Sequence, residues 1–337
     1  MVTSCLGPTF FEALDFSCFR FTTLYNNCIH PFATIPFPGI IRKTLYDPRS
    51  KTMIPYYPQT ADLALIQRHT LHPLFQRLPD GISEFTFANL YLFRKTHAYQ
   101  VTRINSDLII ILGKDEYKPF FMAPFGLPDK KTLQVLFRQY QSMKCVAQSQ
   151  VDDLESLGYL TVEDRDNFDY LYRQQNLAEL TGRKFSKKRN LIKAFLNNYD
   201  FEGKPLLEEH VPDALKVLEQ WRSERESPGD YEATREALEN CETLQLCGGI
   251  YYTENKPVAF SLGEELMQGK SFVIHFEKAV TGYKGLWQFI NQAFASILPE
   301  IYETINREQD LGDEGLRSAK MSYKPIDFIR KYRAEAS

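Results

Sequence analysis

No uncharged apolar run in this sequence approaches the roughly 18 to 20 residues that a bilayer-crossing helix needs. The cleanest stretch is residues 108–113. A transmembrane segment is therefore not expected, and any membrane attachment would be peripheral. Cysteine is equally sparse in useful patterns. The six cysteines (Cys5, Cys18, Cys28, Cys145, Cys241, Cys247) form no CxxC pair and have no histidine partners at metal-ligand spacing, so no metal site is expected. Unpaired thiols suit a reducing compartment, which points to the cytoplasm. The chain start lacks the basic cluster, apolar block and small-residue cleavage site of a secretory signal, since Arg20 is the first basic residue and Pro8 interrupts the early stretch.

What is present suits a folded protein of two domains. The 337 residues exceed what one hydrophobic core usually supports, and 43% hydrophobic with 25% charged residues gives both cores and a wet surface. Net charge is only −3, but it is unevenly spread. Residues 173–193 hold seven basic residues and one acidic, Glu179, a local +6, so the remainder sums to −9. Residues 1–52 carry seven phenylalanines, five prolines and three of the cysteines without a lasting period, and are expected to be a poorly ordered extension.

From Met53 on, hydrophobic periodicity gives one order of elements twice. Residues 62–75 and 85–93 read as helices, 99–104, 108–112 and 119–125 as strands, 129–143 as a helix, 144–149 as a strand, 151–157 as a short helix and 168–172 as a last strand. The second pass has helices at 212–221 and 231–238, strands at 247–253, 257–263 and 272–276, a helix at 284–295, a strand at 302–306, a helix at 313–322 and a closing strand at 325–330. The expected organisation is an N-terminal domain over 53–173, a basic helical linker over 174–198 and a C-terminal, catalytic domain over 199–337. Shared order with little identity is the mark of an old duplication.

A central strand feeding a glycine-containing turn and a helix resembles the GNAT acetyltransferase fold. The expected class is thus α+β, with two tandem GNAT-like domains built on mixed sheets. Further motifs are Phe168-Asp169-Tyr170-Leu171-Tyr172, residues 180–190 (Leu-Thr-Gly-Arg-Lys-Phe-Ser-Lys-Lys-Arg-Asn), His275-Phe276-Glu277-Lys278 and residues 305–312 (Ile-Asn-Arg-Glu-Gln-Asp-Leu-Gly), with a tail of Gly315, Arg317, Lys320, Tyr323, Pro325 and Tyr332. Together they resemble the bacterial family that shares the C-terminal domain of phosphatidylglycerol lysyltransferase (DUF2156-like). The resemblance implies aminoacyl transfer. Family members that modify lipids usually carry a large membrane region before this domain, which this sequence does not show.

Strand alternation over residues 272–278 sends Phe272, Ile274 and Phe276 to one side and Val273, His275 and Glu277 to the other. Acyl transfer needs a group to take the nucleophile's proton, so Glu277, with His275, is the expected base. The turn Gly282-Tyr283-Lys284-Gly285 opens a helix, where backbone N–H groups can cradle an anion. It departs from the coenzyme A signature Q/R-x-x-G-x-G/A, because its glycines stand three apart with no Gln or Arg leading. The matching place in the first half, residues 125–129, has one glycine and a proline and is expected to have lost any such site. Arg317 and Lys320 form a basic stripe for the donor's anion, and Tyr323 stands where this fold often keeps a tyrosine as general acid. Asn306, Glu308 and Asp310 are further cleft candidates. Lys184, Lys187, Lys188 and Arg189 form a basic patch suited to tRNA.

Three readings follow. The first is an aminoacyltransferase taking its group from aminoacyl-tRNA and passing it to an amine or hydroxyl of a small molecule or lipid headgroup, with no cofactor required. The second is a coenzyme A-dependent N-acyltransferase, and the third a non-catalytic binding module on the same fold.

Overall fold

The computed structural model describes residues 54–336. The extension expected over residues 1–52 lies outside the described residues. The strands, in chain order, are β1 (Ala61–Asp62), β2 (Gln100–Arg103), β3 (Ile109–Asp115), β4 (Lys118–Met122), β5 (Ser142–Ala147), β6 (Tyr159–Glu163) and β7 (Asp169–Arg173), then β8 (Phe201–Pro205), β9 (Cys247–Thr253), β10 (Lys256–Leu266), β11 (Ser271–Ala279), β12 (Thr304–Asn306), β13 (Asp327–Ile329) and β14 (Lys331–Ala336). Among the described residues they form two seven-stranded sheets, ordered β1-β2-β3-β4-β5-β14-β6 and β13-β7-β12-β11-β10-β9-β8.

The two orders match place for place, with one exchange. The sixth place of the first sheet is held by β14, the chain's last strand, which pairs antiparallel with β5 and β6. The corresponding place in the second sheet is held by β7, from the first half, between β12 and β13. The strand expected to close the first half, β7, therefore completes the second sheet; the one expected at 325–330 is β13, which stays in the second sheet, and the unexpected β14 completes the first, so boundaries at 173 and 199 would leave both sheets short of a strand. Alternating apolar residues call for a strand at 168–172 and say nothing of its partner, because pairing is decided by non-local backbone hydrogen bonds. Where the exchanged strands begin, buried Lys331 of β14 pairs with buried Asp169 of β7 at 2.7 Å and also with Glu84. Asp169 also accepts from Ser83 N and Oγ, at 2.9 Å each, and from Asn306 Nδ2. A buried charge that lost these partners would be costly, so this network ties the two sheets into one body.

In each half one parallel strand pair diverges. β4 and β5 pair only at Phe120↔Ser142 and Phe121↔Met143, while β11 and β12 pair at Ser271↔Thr304, Phe272↔Ile305 and Val273↔Asn306. Beyond these points the strands separate into a wedge. The helix Leu286–Ile297 covers the second sheet with Leu286, Phe289, Ile290, Ala293 and Phe294 buried at i, i+3, i+4, i+7 and i+8, the spacing of one helix face. Phe272 meets Phe294 edge-on at 5.7 Å. The segment expected as a basic linker is instead packed here. Phe195 of the helix Ser186–Asn198 stacks on Phe289 at 4.7 Å, and Gln292 donates to the Ala178 carbonyl at the end of the helix Gln174–Glu179.

Candidate active site

The second wedge is crossed by two ion pairs from adjacent residues. Arg307 Nη2 lies 2.8 Å from Glu277 Oε1, and His275 Nδ1 lies 2.7 Å from Glu308 Oε1. They reach opposite sides of the sheet. Glu308 also accepts from Asn89 of the helix Phe87–His97, whereas on the other side Arg307 faces the side-chain amide of Asn291 on the helix Leu286–Ile297, whose oxygen accepts from the guanidinium when it is turned toward it.

His275 and Glu277 therefore do not share a face, contrary to simple alternation. The register between β10 and β11 slips between Leu262↔Phe276 and Gly263↔Ile274, leaving His275 as the extra residue of a bulge. A bulge re-aims the side chains around it. Phe276 accordingly packs near Phe93 of the first half, 6.5 Å between ring centroids. Glycine at 263 permits the close approach, since a Cβ there would stand 1.9 Å from the Val273 carbonyl oxygen.

The bulge changes the chemistry of His275. Its Nε2 lies 3.0 Å from Glu264 Oε1, so both ring nitrogens face carboxylates. Burial alone would lower its pKa, but hydrogen bonds to Glu264 and Glu308 raise it to about 10. At neutral pH it is an imidazolium bridging two carboxylates, with no lone pair to act as a base.

Glu277 is placed differently. One oxygen is fixed by Arg307, and the other, Oε2, is buried without a hydrogen-bond partner among the described residues. Tyr323 packs beside this pair, with the Arg307 guanidinium carbon 5.6 Å from its ring centroid. Burial raises the tyrosine pKa to about 12, so at neutral pH its hydroxyl keeps its proton. Over the same ring, 4.0 Å from its centroid, sits Lys188 Nζ. Lys320 donates to the carbonyls of Arg307 (2.8 Å), Glu308 (3.1 Å) and Gln309, holding the far wall of the wedge, and burial followed by repulsion from Arg307 lowers its pKa to about 8.

Three separate stretches of sequence thus contribute Lys188, Glu277, and Lys320 with Tyr323 to one place. Other candidates serve the frame. Asp310 accepts from Tyr170, Arg317 and the Gly312 amide, which hold its carboxyl well below the usual range against the opposing effect of burial. Arg317 divides its guanidinium between Asp310 and Asp166, and so is committed to the chain rather than to a donor's anion. Asn306 spans the Gly81 carbonyl and Asp169, while Arg189 caps the Leu180 and Gly182 carbonyls. Lys184 and Lys187 are exposed on the surface.

In the glycine turn, Gly282 and Lys284 are exposed, and Tyr283 meets Tyr199 edge-on at 5.1 Å. Gly285, at φ 89°, is the helix N-cap and supplies no side-chain cap. A Cβ there would lie 2.1 Å from the Leu191 carbonyl, so this glycine is what lets the helix carrying Lys188 close on the turn. Sequence reasoning passed over Arg307, although it stands between two chosen residues, Asn306 and Glu308. The missing signal is its partner, Glu277, thirty positions away.

The sequence profile of the phosphatidylglycerol lysyltransferase C-terminal family matches residues 75–335. The chain belongs to that family. Among solved structures, a conserved protein of unknown function from Bacteroides thetaiotaomicron VPI-5482 is 32% identical, with 82% of this chain and 99% of that one covered and a TM-score of 0.75. The C-terminal domain of a putative lysylphosphatidylglycerol synthetase from Agrobacterium fabrum is 15% identical, covering 79% of this chain and 92% of that one, with a TM-score of 0.57. L-PGS from Bacillus licheniformis is 14% identical, covering 71% and 84%, with a TM-score of 0.53. The protein has a mixed α/β fold of the GNAT type and is an enzyme of the acyl- or aminoacyltransferase class. No helix among its described residues is long and apolar enough to cross a membrane.

Proposed function

We propose that this enzyme takes an aminoacyl group from aminoacyl-tRNA and passes it to an amine or hydroxyl of a small molecule or lipid headgroup, with no cofactor beyond the donor. The observation that carries the reading is the divided environment of Glu277, one oxygen oriented by Arg307 and the other buried and bare in the wedge. A carboxylate so held can accept the acceptor's N–H or O–H proton while the acceptor's lone pair attacks the acyl carbon. The ester bond to the tRNA ribose oxygen then breaks, and the Tyr323 hydroxyl is the group at hand to protonate that oxygen. His275 acts only as a fixed charge that shapes β11. The exposed Lys184 and Lys187, on the approach to Lys188, suit the phosphodiester backbone of the donor.

The test is Glu277→Gln, assayed for single-turnover transfer from aminoacyl-tRNA and for thermal unfolding. Loss of a general base should lower the transfer rate by roughly 10² to 10⁴ with little change in melting temperature. A stable variant that retains full activity would remove Glu277 from the chemistry. A variant weakened by about 1 to 3 kcal/mol, with an unchanged rate per folded molecule, would make the residue structural.

A further inference from the structure

The charges around Tyr323 do not balance. Arg307, Lys188 and Lys320 converge there, and the carboxylate ion-paired within the group is Glu277. Glu308, the next candidate counter-charge, is hydrogen-bonded to the His275 imidazolium. Lys320 donates its ammonium to three backbone carbonyls and has Glu308, Asp169 and Asp310 as its neighbouring carboxylates, which leaves Lys188 and Arg307 with Glu277. Lys188 is half-buried, and its ammonium meets no hydrogen-bond acceptor among the described residues, only the face of Tyr323. Burial and the nearby Arg307 lower its pKa, as expected of a cation placed beside another cation.

A partly dehydrated lysine beside an arginine that shares one carboxylate is an arrangement the fold has to sustain against its own electrostatics. An arriving anion relieves that cost. The helix carrying Lys188 is also held in place, because Gly285 allows the Leu191 carbonyl to seat against the turn. The Arg307 fork is engaged by Glu277 and faces Asn291, so a phosphate would have to compete with Glu277 for its N–H groups, with Lys188 supplying a point charge over the same tyrosine.

We infer that Lys188 and Arg307, over the ring of Tyr323, form a seat for one phosphate group of a substrate. Binding draws Arg307 partly from Glu277 onto the phosphate, which frees the Glu277 carboxylate at the moment the substrate is in place. The inference rests on the proposed transfer reaction for its purpose and not for its test. The phosphate could belong to the 3′ end of the donor RNA or to the headgroup of a phosphorylated acceptor.

The test is equilibrium binding to the full chain, with inorganic phosphate titrated against chloride at constant ionic strength and followed by thermal unfolding and calorimetry. Wild type should bind phosphate saturably, and its melting temperature should rise with it. Lys188→Met, which keeps an apolar stem over Tyr323 and removes the uncompensated cation, should bind at least tenfold more weakly with a melting temperature in chloride no lower than that of wild type. Glu277→Gln, which removes the competitor for Arg307, should bind more tightly. Saturable binding that Lys188→Met leaves within twofold would overturn the inference, as would its absence in wild type. Two further arms use a cytidine-cytidine-adenosine trinucleotide and glycerol phosphate; whichever exceeds inorganic phosphate by tenfold in a Lys188-dependent way identifies the source. Because no arm measures transfer, a bound phosphate without aminoacyl transfer would sink the proposed function alone, and transfer without a Lys188-dependent phosphate would sink the seat alone.

Discussion

The two wedges of this molecule are built on one plan and finished in opposite ways. In the first half the helix Lys130–Tyr140 is capped by Asp129, whose carboxylate accepts from Lys131 N at 2.9 Å and Thr132 N at 3.2 Å. Gln150, just past β5, donates across the gap to the Ala123 carbonyl at the end of β4. The underlying cluster is apolar, with Ile110, Leu112, Phe121, Leu136 and Phe137 buried together. In the second half the cap is a glycine, the gap is crossed by charges, and among the described residues both a carboxylate oxygen and an ammonium lack polar partners. A fold can be duplicated without its site. The difference lies in the wedges and not in the halves as a whole, since Arg68, His72 and Arg103 of the first half also bury polar atoms without partners among the described residues: the first wedge is closed by a satisfied cap and amide, and the second leaves a carboxylate oxygen bare.

Strand exchange gives the largest way to break this comparison. Ending the chain after Arg330 removes β14, which belongs by sequence to the second half but completes the first sheet. It also strips Asp169 and Glu84 of Lys331. The expected outcome is loss of cooperative unfolding, with proteolytic cleavage beginning in residues 54–163. A truncated chain that melts within a few degrees of the full one would show that the exchange is dispensable.

A matched pair of substitutions at the two helix starts sharpens it. Gly285→Ala forces a side chain into a left-handed backbone and against the Leu191 carbonyl, and should cost about 2 to 4 kcal/mol in denaturant unfolding while weakening whatever depends on Lys188. Asp129→Ala removes one exposed N-cap, should destabilise far less than Gly285→Ala, and should leave the rate of transfer unchanged. Equal effects on transfer would erase the functional distinction between the wedges.

The remaining test is one of pH. His275 is held as an imidazolium with a pKa of about 10, against an ordinary value near 6.5, so the folded state binds this proton more tightly than the unfolded chain. Its contribution is complete below about pH 6.5 and is lost as pH rises through 10. The melting temperature should therefore fall between pH 7 and 10 more steeply for wild type than for His275→Gln. Parallel curves would mean that the charged bridge adds nothing to the fold.

How much of this was legible beforehand varied by level. The strand at Cys247–Thr253 and the helix at Tyr231–Glu239 follow closely from periodicity, and the short β1, β6 and β8 escaped it because two to five residues at a sheet edge carry little apolar pattern. Glu277, Tyr323, Lys320 and Lys188 were each identifiable singly, from residue type and from the motifs around them. Their assembly was not, and neither was the role of Arg307.

What the sequence determined by itself was local: where the chain would be helical or extended, in what order, and which family motifs it carries, because side-chain periodicity and turn chemistry act over a few residues. Tertiary structure alone decided that β7 and β14 change places, that a bulge at His275 turns it away from Glu277, and that Arg307 closes on a carboxylate thirty residues away. The physical reason is common to all three. Strand partnership, bulge position and ion pairing depend on backbone and side-chain groups brought together from distant parts of the chain, and an alternating pattern is equally satisfied by any sheet that buries it.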